Sequence, residues 1–330
     1  MKTRPTARHH DQGRGSDASG SAQEGFDLQA VAQRYAVRTT PFLDQLIEQE
    51  AKDGTAGPLA LQFVPSLDEL VDSPDDLADP IGDHAKSPRP GIVHRYPDRV
   101  LLKPIHVCAA YCRFCFRREQ VGPGGEALSD AELDYALDYI RQTPAVWEVV
   151  LTGGDPLLMS PRRLQGIIEQ LAAIPHVQVL RIHSRLPIHD PARITDALIT
   201  ALQAAPLEEL SVWVAVHVNH KAELVPDVIQ ALRRFITASI PLVSQTVLLR
   251  GVNDNPDTLC DLFRALVRYG VKPYYLHHPD PAPGTSHFRL TVEEGTAIVR
   301  AMHKALSGLA RPTYVLDRPQ GQGKVYLPVT

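Results

Sequence analysis

The sequence predicts an α/β fold, a (β/α)6-like partial barrel preceded by a helical extension. Three observations predict it. From about residue 99, short and nearly continuous apolar runs recur: "RVLLKPIHV", "EVVLTG", "VQVLRIHS", "LSVWVAVHV", "LVSQTVLL" and "PYYLHH". Helix-period segments separate them, beginning near Asp130, Pro161, Pro191, Ala222, Pro256 and Val292. Apolar runs of this kind are strands buried on both faces, and strands alternating with helices pair in parallel. Finally, the unusual motifs all fall at the C-terminal ends of the apolar runs, where ligands gather in barrels and open α/β sheets alike.

Residues 1–25, "MKTRPTARHHDQGRGSDASGSAQEG", are polar and rich in Gly, Ser and Arg, and are expected to form a disordered tail. Residues 26–98 read as a helical and extended segment. Within it 27–50 is expected to be helical, with Pro41 near a helix start and Phe42, Leu43, Leu46 and Ile47 at helical spacing. Residues 52–93 are rich in Pro, Asp and Gly and read as extended and loop-heavy. The barrel proper is expected over 99–290. Its helices carry local punctuation. Ser129 with Glu132 makes a capping box ahead of the stripe Leu133, Ala136, Leu137 and Ile140. Asn255 caps a helix opened by Pro256, and Gly270 stands where that helix should stop. Thr291 and Glu294 form a second capping box, opening a final segment, 291–330, that packs a helix, the strand-like "TYVLD" and a glycine-containing loop on the barrel.

The 330 residues can bury a large core without disulfides or metal, and 44% hydrophobic with 22% charged residues is an ordinary globular composition. A net charge of −4 argues against nucleic acid or a membrane surface as the main partner. No run of about twenty apolar residues and no apolar signal core occurs, so neither a membrane span nor a secretory leader is expected. Three of the four cysteines lie within eight positions, which is no disulfide framework. The expected setting is the reducing cytoplasm.

Those three cysteines, Cys108, Cys112 and Cys115 in "HVCAAYCRFCFRREQVG", directly follow the first apolar run. Thiolates suit zinc or an iron–sulfur cluster. A structural zinc site asks for a fourth ligand. Cys260 lies far away in an amphipathic helix, and His106 sits on the strand side of the loop. The Cys-x3-Cys-x2-Cys spacing at this point of a βα barrel resembles the radical S-adenosylmethionine (SAM) superfamily. That resemblance implies a [4Fe–4S] cluster whose fourth iron is chelated by the amine and carboxylate of SAM. An electron then releases a 5′-deoxyadenosyl radical. It also implies a low-potential electron donor as partner. The second run ends in "LTGGDPLLMS". Alone, Gly153-Gly154-Asp155-Pro156 reads as a turn; behind the cysteines it resembles the superfamily's glycine-rich SAM segment.

A more specific resemblance covers residue 27 to the C-terminus. "HRYPDRVLL", "CRFCFRRE", "TGGDPL", "RIHSRLP", "HVNH", "SQTVLLRGVND", "PYYL", "GTSHFR" and "PTYVLD" together resemble the lysine 2,3-aminomutase family, in order and at compatible spacing. This implies an isomerase that also uses pyridoxal 5′-phosphate (PLP) and moves the α-amino group of an amino acid, L-lysine first, to the β carbon. A mutase for another amino acid, or the branch that supplies β-lysine to elongation factor P, are the neighbouring readings.

The same resemblance implies the site residues. Lys324 in "DRPQGQGKVYL" would hold PLP as a Schiff base; otherwise it is a solvated loop lysine. Arg95, Tyr96 and Arg99 in "HRYPDR" would meet PLP and its phosphate. Arg117 would bind the substrate carboxylate, for which a guanidinium has paired donors, while Arg118 has no assigned role and reads as solvated or helix-pairing. Asp280 in "HHPDPAPG" and Asp317 in "YVLDRP" would hold a distal ammonium, or else cap turns beside proline. Further cofactor contacts are implied at Gly153, Gly154, Asp155, Ser184, Arg185, His217 and Gln245. His277, His278 and Pro279 depart from the familiar pattern and are expected to line the pocket beside Asp280. Longer mutases continue into a C-terminal extension with zinc-binding cysteines that help assembly. This chain stops six residues after Lys324, so neither that zinc site nor a tetramer is expected, and a homo-oligomer of another kind stays open.

Overall fold

The computed structural model describes residues 28–51, 56–122, 127–318 and 323–329. The tail read from residues 1–25 falls outside them.

One nine-stranded sheet organises the chain, with strands in sequence order: β1 (Ile92–Tyr96), β2 (Arg99–Ile105), β3 (Glu148–Gly153), β4 (Val179–Ser184), β5 (Ser211–His217), β6 (Leu242–Val247), β7 (Lys272–His277), β8 (Thr313–Arg318) and β9 (Gly323–Tyr326). β2 through β8 run parallel, and the antiparallel β1 and β9 close the two ends. The six expected strands are β2–β7. "TYVLD" is a further parallel strand paired to β7, and the lysine-bearing segment turns back on it as β9. Among the described residues no ladder joins β9 to β1, so the barrel is partial. Side chains bridge the seam instead: the Lys324 amide donates to the Tyr96 hydroxyl at 2.6 Å, and Arg95 pairs with Asp317 at 3.4 Å.

The helices follow their punctuation. Both capping boxes form, at Ser129 and Thr291, and Asn255 caps Pro256–Arg268. Gly270 ends that unit at φ +82°, a conformation that glycine adopts freely. Two starts differ from expectation. At Pro191 and Ala222 the chain first makes 3-10 turns, Pro191–Arg193 and Lys221–Glu223, and the α-helices are Asp196–Leu202 and Pro226–Thr237. Proline decides the second: without an N–H, Pro226 fits only the first helical turn, so no helix runs through it from Ala222. Thr195 decides the first by accepting the Leu198 amide. The apolar faces of these helices cover the sheet; Pro256–Arg268, for example, buries Leu259, Leu262, Phe263 and Leu266.

The N-terminal segment is less uniform than its composition. Residues 28–34 and Pro41–Glu50 are helical, separated where Thr40 caps the second helix. The segment read as loop contains a helix, Pro58–Phe63, whose Gln62 and Phe63 are fully buried against the barrel.

Candidate active site

A cavity of about 460 Å³ fills the inside of the barrel. Its lining runs from Arg99 and Glu148, at the starts of β2 and β3, to Cys115 and Asp155 beyond their ends. Strand ends converge there because parallel strands deliver every loop after a strand to the same rim.

Cys108, Cys112 and Cys115 all face this cavity as free thiols. Burial, reinforced by Asp155 and then the neighbouring cysteines, pushes Cys108 well up, and burial with Cys112 nearby pushes Cys115 up to about 11. Three thiolates gathered in a buried loop call for a cationic centre to displace their protons. No three His, Cys, Asp or Glu side chains among the described residues surround a single metal ion. Three thiols without a fourth suit a cluster, in which each would hold one iron. Cys260 is excluded from the group: it is buried in its helix, with Sγ directed at the Met302 carbonyl at 3.9 Å.

Gly153 and Gly154 lie where the sequence places them, but their tightest neighbour is the chain itself. A Cβ on Gly153, at φ +114°, would sit 2.4 Å from the Ile105 carbonyl oxygen, and one on Gly154 would sit 2.3 Å from that of Val107. The pair lets β3 press on the backbone that enters the cysteine loop. The Asp155 carboxylate is taken internally: it accepts from Ser184 Oγ at 2.7 Å, the Arg185 amide at 2.8 Å and the Leu157 amide at 3.1 Å. Asp155 and Ser184 thus lock the end of β3 to the end of β4. Arg185 points its guanidinium at Cys112, with Nη1 2.9 Å from Sγ.

At the seam, Lys324 is the only lysine lining the cavity among the described residues. Its Nζ lies 2.5 Å from Asp317 Oδ2, its cross-strand partner, and 5.9 Å from the Tyr275 ring centre. Gly323 precedes it at φ +93°, where a Cβ would strike the Tyr96 hydroxyl at 2.2 Å. The glycine before the lysine is therefore needed for the Tyr96 contact that fixes the Lys324 backbone. Asp317 is shared: Arg95 approaches Oδ1, and His277 Nδ1 lies 3.8 Å from Oδ2.

Asp280 differs. Its side chain faces the cavity and has no hydrogen-bond partner among the described residues. Burial, with Asp317 nearby, pushes its carboxyl up to about 7, against the opposing pull of Lys324, Arg117 and Arg95. Arg117 in turn pairs with Asp83 through Nη2 at 2.9 Å and Nε at 3.3 Å. Asp83 also holds Arg95 at 3.0 Å. Burial alone would raise the Asp83 carboxyl, but Arg117, Lys103 and Arg95 outweigh it and hold it below the usual carboxylate range.

The remaining expected residues are distributed along the same cavity. Tyr96 stacks under Arg99, whose guanidinium lies 3.8 Å from the ring centre and pairs with Asp98. His217 Nε2 contacts Asn219 Oδ1 at 2.9 Å, and Gln245 Nε2 lies 3.4 Å from His183 Nε2. Of the two adjacent histidines only His277 lines the cavity; His278 turns into the wall and meets the Tyr314 hydroxyl at 2.8 Å, as strand alternation requires. Arg118 is neither solvated nor helix-paired. It is buried on the Tyr35 ring and shares Glu69 with Arg113, tying the cysteine loop to the N-terminal segment. Sequence reasoning missed Asp83, Gln62, Glu69 and Glu223; Glu69 and Glu223 had a local signal, as the third residues of capping boxes opened by Ser66 and His220, while Asp83 and Gln62 had only their acidic or amide type.

The chain has relatives of known kind. The Radical SAM superfamily matches residues 102–263. An L-lysine 2,3-aminomutase of Fusobacterium nucleatum is 39% identical over 308 residues, 93% of this chain and 70% of the relative. That of Clostridium subterminale is 40% identical over 302 residues, 92% of this chain and 70% of the relative. A glutamate 2,3-aminomutase of Clostridioides difficile is 33% identical over 300 residues, 91% of this chain and 69% of the relative.

Proposed function

Because the chain belongs to the lysine 2,3-aminomutase family of the radical SAM superfamily, we propose that it converts L-lysine to β-lysine. Family membership makes it an isomerase, a 2,3-aminomutase that works with a [4Fe–4S] cluster, SAM and PLP. The donor set fits these groups: three cavity-facing thiols without a fourth, and one cavity-facing lysine. When bound, the cluster and SAM supply a carbon-centred radical, and PLP supplies a π system conjugated to the migrating nitrogen.

The observation that carries the choice of lysine is Asp280, an unpartnered carboxylate facing the cavity that also holds Arg117 and Lys324. Arg117 anchors the substrate carboxylate; its fork offers paired donors, and Asp83 on one edge holds it in place. Asp280 receives the distal ammonium, which gives its carboxylate the counter-charge that burial denies it. Asp317 Oδ2 holds a proton of Lys324 Nζ and so keeps the amine at a fixed point beside Tyr275. Arg95, Tyr96 and Arg99 are the cationic and aromatic surroundings for the PLP end, at the β1–β2 side of the seam. Gly153, Gly154, His217 and Gln245 border the SAM side. A low-potential electron donor is the remaining partner, and the free thiols suit the reducing cytoplasm. Among the described residues no helix is long and apolar enough to cross a membrane.

The test is a substrate panel. Enzyme reconstituted anaerobically with iron, sulfide and PLP is given SAM, a reductant and one amino acid at a time. The β isomer of lysine should form, and alanine and glutamate should give little or none. Turnover of glutamate in place of lysine would overturn the lysine assignment while leaving the aminomutase intact.

A further inference from the structure

We propose that Arg185 sets the reduction potential of the iron–sulfur cluster by donating a hydrogen bond from Nη1 to the Cys112 thiolate. This rests on the reading that the three cysteines carry that cluster.

The contact is 2.9 Å long, and the guanidinium that makes it has little freedom to move away. Nη2 donates to Gln62 Oε1 at 2.6 Å and to Glu223 Oε2 at 2.8 Å. The Phe63 and Phe114 rings flank the guanidinium carbon, with centres 4.7 and 5.2 Å away. The side chain is 6% exposed and Glu223 is 0% exposed. A buried cation fixed on three polar partners and between two rings cannot relax toward solvent, so its field at the sulfur is permanent.

Cluster sulfurs commonly accept hydrogen bonds from backbone amides, and Cys115 has such a bond from the Arg117 N–H. Cys112 has a donor carrying a full positive charge at 2.9 Å, with His189 Nε2 farther off at 3.9 Å. A donor or cation at a cluster sulfur stabilises the extra electron of the reduced state and so raises the potential. Glu223 tempers the effect without cancelling it. Its Oε1 accepts the Asn219 amide at 2.9 Å and the His220 amide at 2.7 Å, so part of its charge is directed away from the guanidinium. The partners come from distant parts of the chain: Gln62 from the N-terminal helix Pro58–Phe63 and Glu223 from the turn after β5. The potential is thereby made to depend on the N-terminal segment being docked. Arg185 acts through Cys112 and is a positioning residue, not a catalytic one.

The experiment is an EPR-monitored redox titration of anaerobically reconstituted full-length protein without SAM, with iron and sulfide content measured on the same samples. Wild type is compared with Arg185→Gln and Glu223→Gln. Loss of the cation in Arg185→Gln should make the midpoint more negative. Loss of the counter-charge in Glu223→Gln should make it less negative, at unchanged cluster content. A structural role alone would shift both variants the same way. Shifts of one sign, or a fully loaded Arg185→Gln with the wild-type midpoint, overturn the proposal. Should Arg185→Gln fail to take up a cluster, the sign in Glu223→Gln decides alone. A wild type that takes up no cluster overturns the cysteine reading instead.

Discussion

Around the cysteine loop the buried charges are paired by the protein itself. Arg185 meets Glu223, and Arg113 with Arg118 meets Glu69, which is 0% exposed. Around Lys324 the pairing is incomplete among the described residues: Asp280 has no hydrogen-bond partner and His277 Nε2 is unsatisfied. A buried polar group left without a partner costs free energy, so proteins retain it where a ligand completes it. In the first region folding itself neutralises the buried charges, although Arg118 Nε, Arg185 Nε and His189 Nδ1 have no hydrogen-bond partner among the described residues and the thiols await a cluster; in the second a carboxylate is left for what binds. Substitutions in the two regions should therefore fail differently, the first through assembly and stability, the second through selectivity and pH.

The largest effect belongs to the cysteines. Cys112→Ala should abolish the iron–sulfur absorbance and SAM cleavage, whereas Cys260→Ala, confined to a helix core, should keep both. Equal iron loss in the two variants would sink the three-thiolate assignment. Next comes Glu69→Gln, which leaves Arg113 and Arg118 buried around a neutral amide. Breaking such a buried pair costs about 3–5 kcal/mol. Denaturant unfolding of the apoprotein should show that loss, and an unchanged midpoint would mean the triad contributes nothing.

Effects at the lysine end are expected to be smaller and selective. Asp280→Asn should lower kcat/KM for lysine by on the order of a hundredfold and leave a neutral amino acid nearly unaffected. Asp317→Asn should harm every substrate alike, because Asp317 is the partner of Lys324 as well as of Arg95. If both variants show one pattern, the two aspartates do not divide the work as their contacts indicate. The mildest effect is on pH. Asp280 titrates near 7 in the free site, and a bound ammonium favours its ionised form. Lysine binding then releases a proton at low pH. KM for lysine should rise as pH falls through about 7, approaching tenfold per unit, with no such trend for a neutral amino acid.

The parts legible in the sequence were those with local grammar. Capping boxes, the Asn255-Pro256 start and the cysteine spacing depend on residues a few positions apart. Pro191 and Ala222 misled as helix starts because the caps that count, Thr195 and the proline at 226, lie just beyond them. The polar supports of the site were not legible, since their pairing is tertiary: Gln62 and Glu223 are 161 residues apart and Asp83 and Arg117 are 34 apart. Asp155 shows the same limit from the other side. Its motif was visible, but only the fold reveals that its carboxylate is taken by Ser184 and backbone amides.

The contrast rests on Lys324 being the residue that the cofactor end is built around. Borohydride reduction of PLP-loaded protein, followed by peptide mass spectrometry, tests this directly. The pyridoxyl group should be found on the peptide containing Lys324, and Lys324→Ala should retain none. Its appearance on another lysine, such as the buried Lys103 or Lys304 on the last helix, would contradict the account.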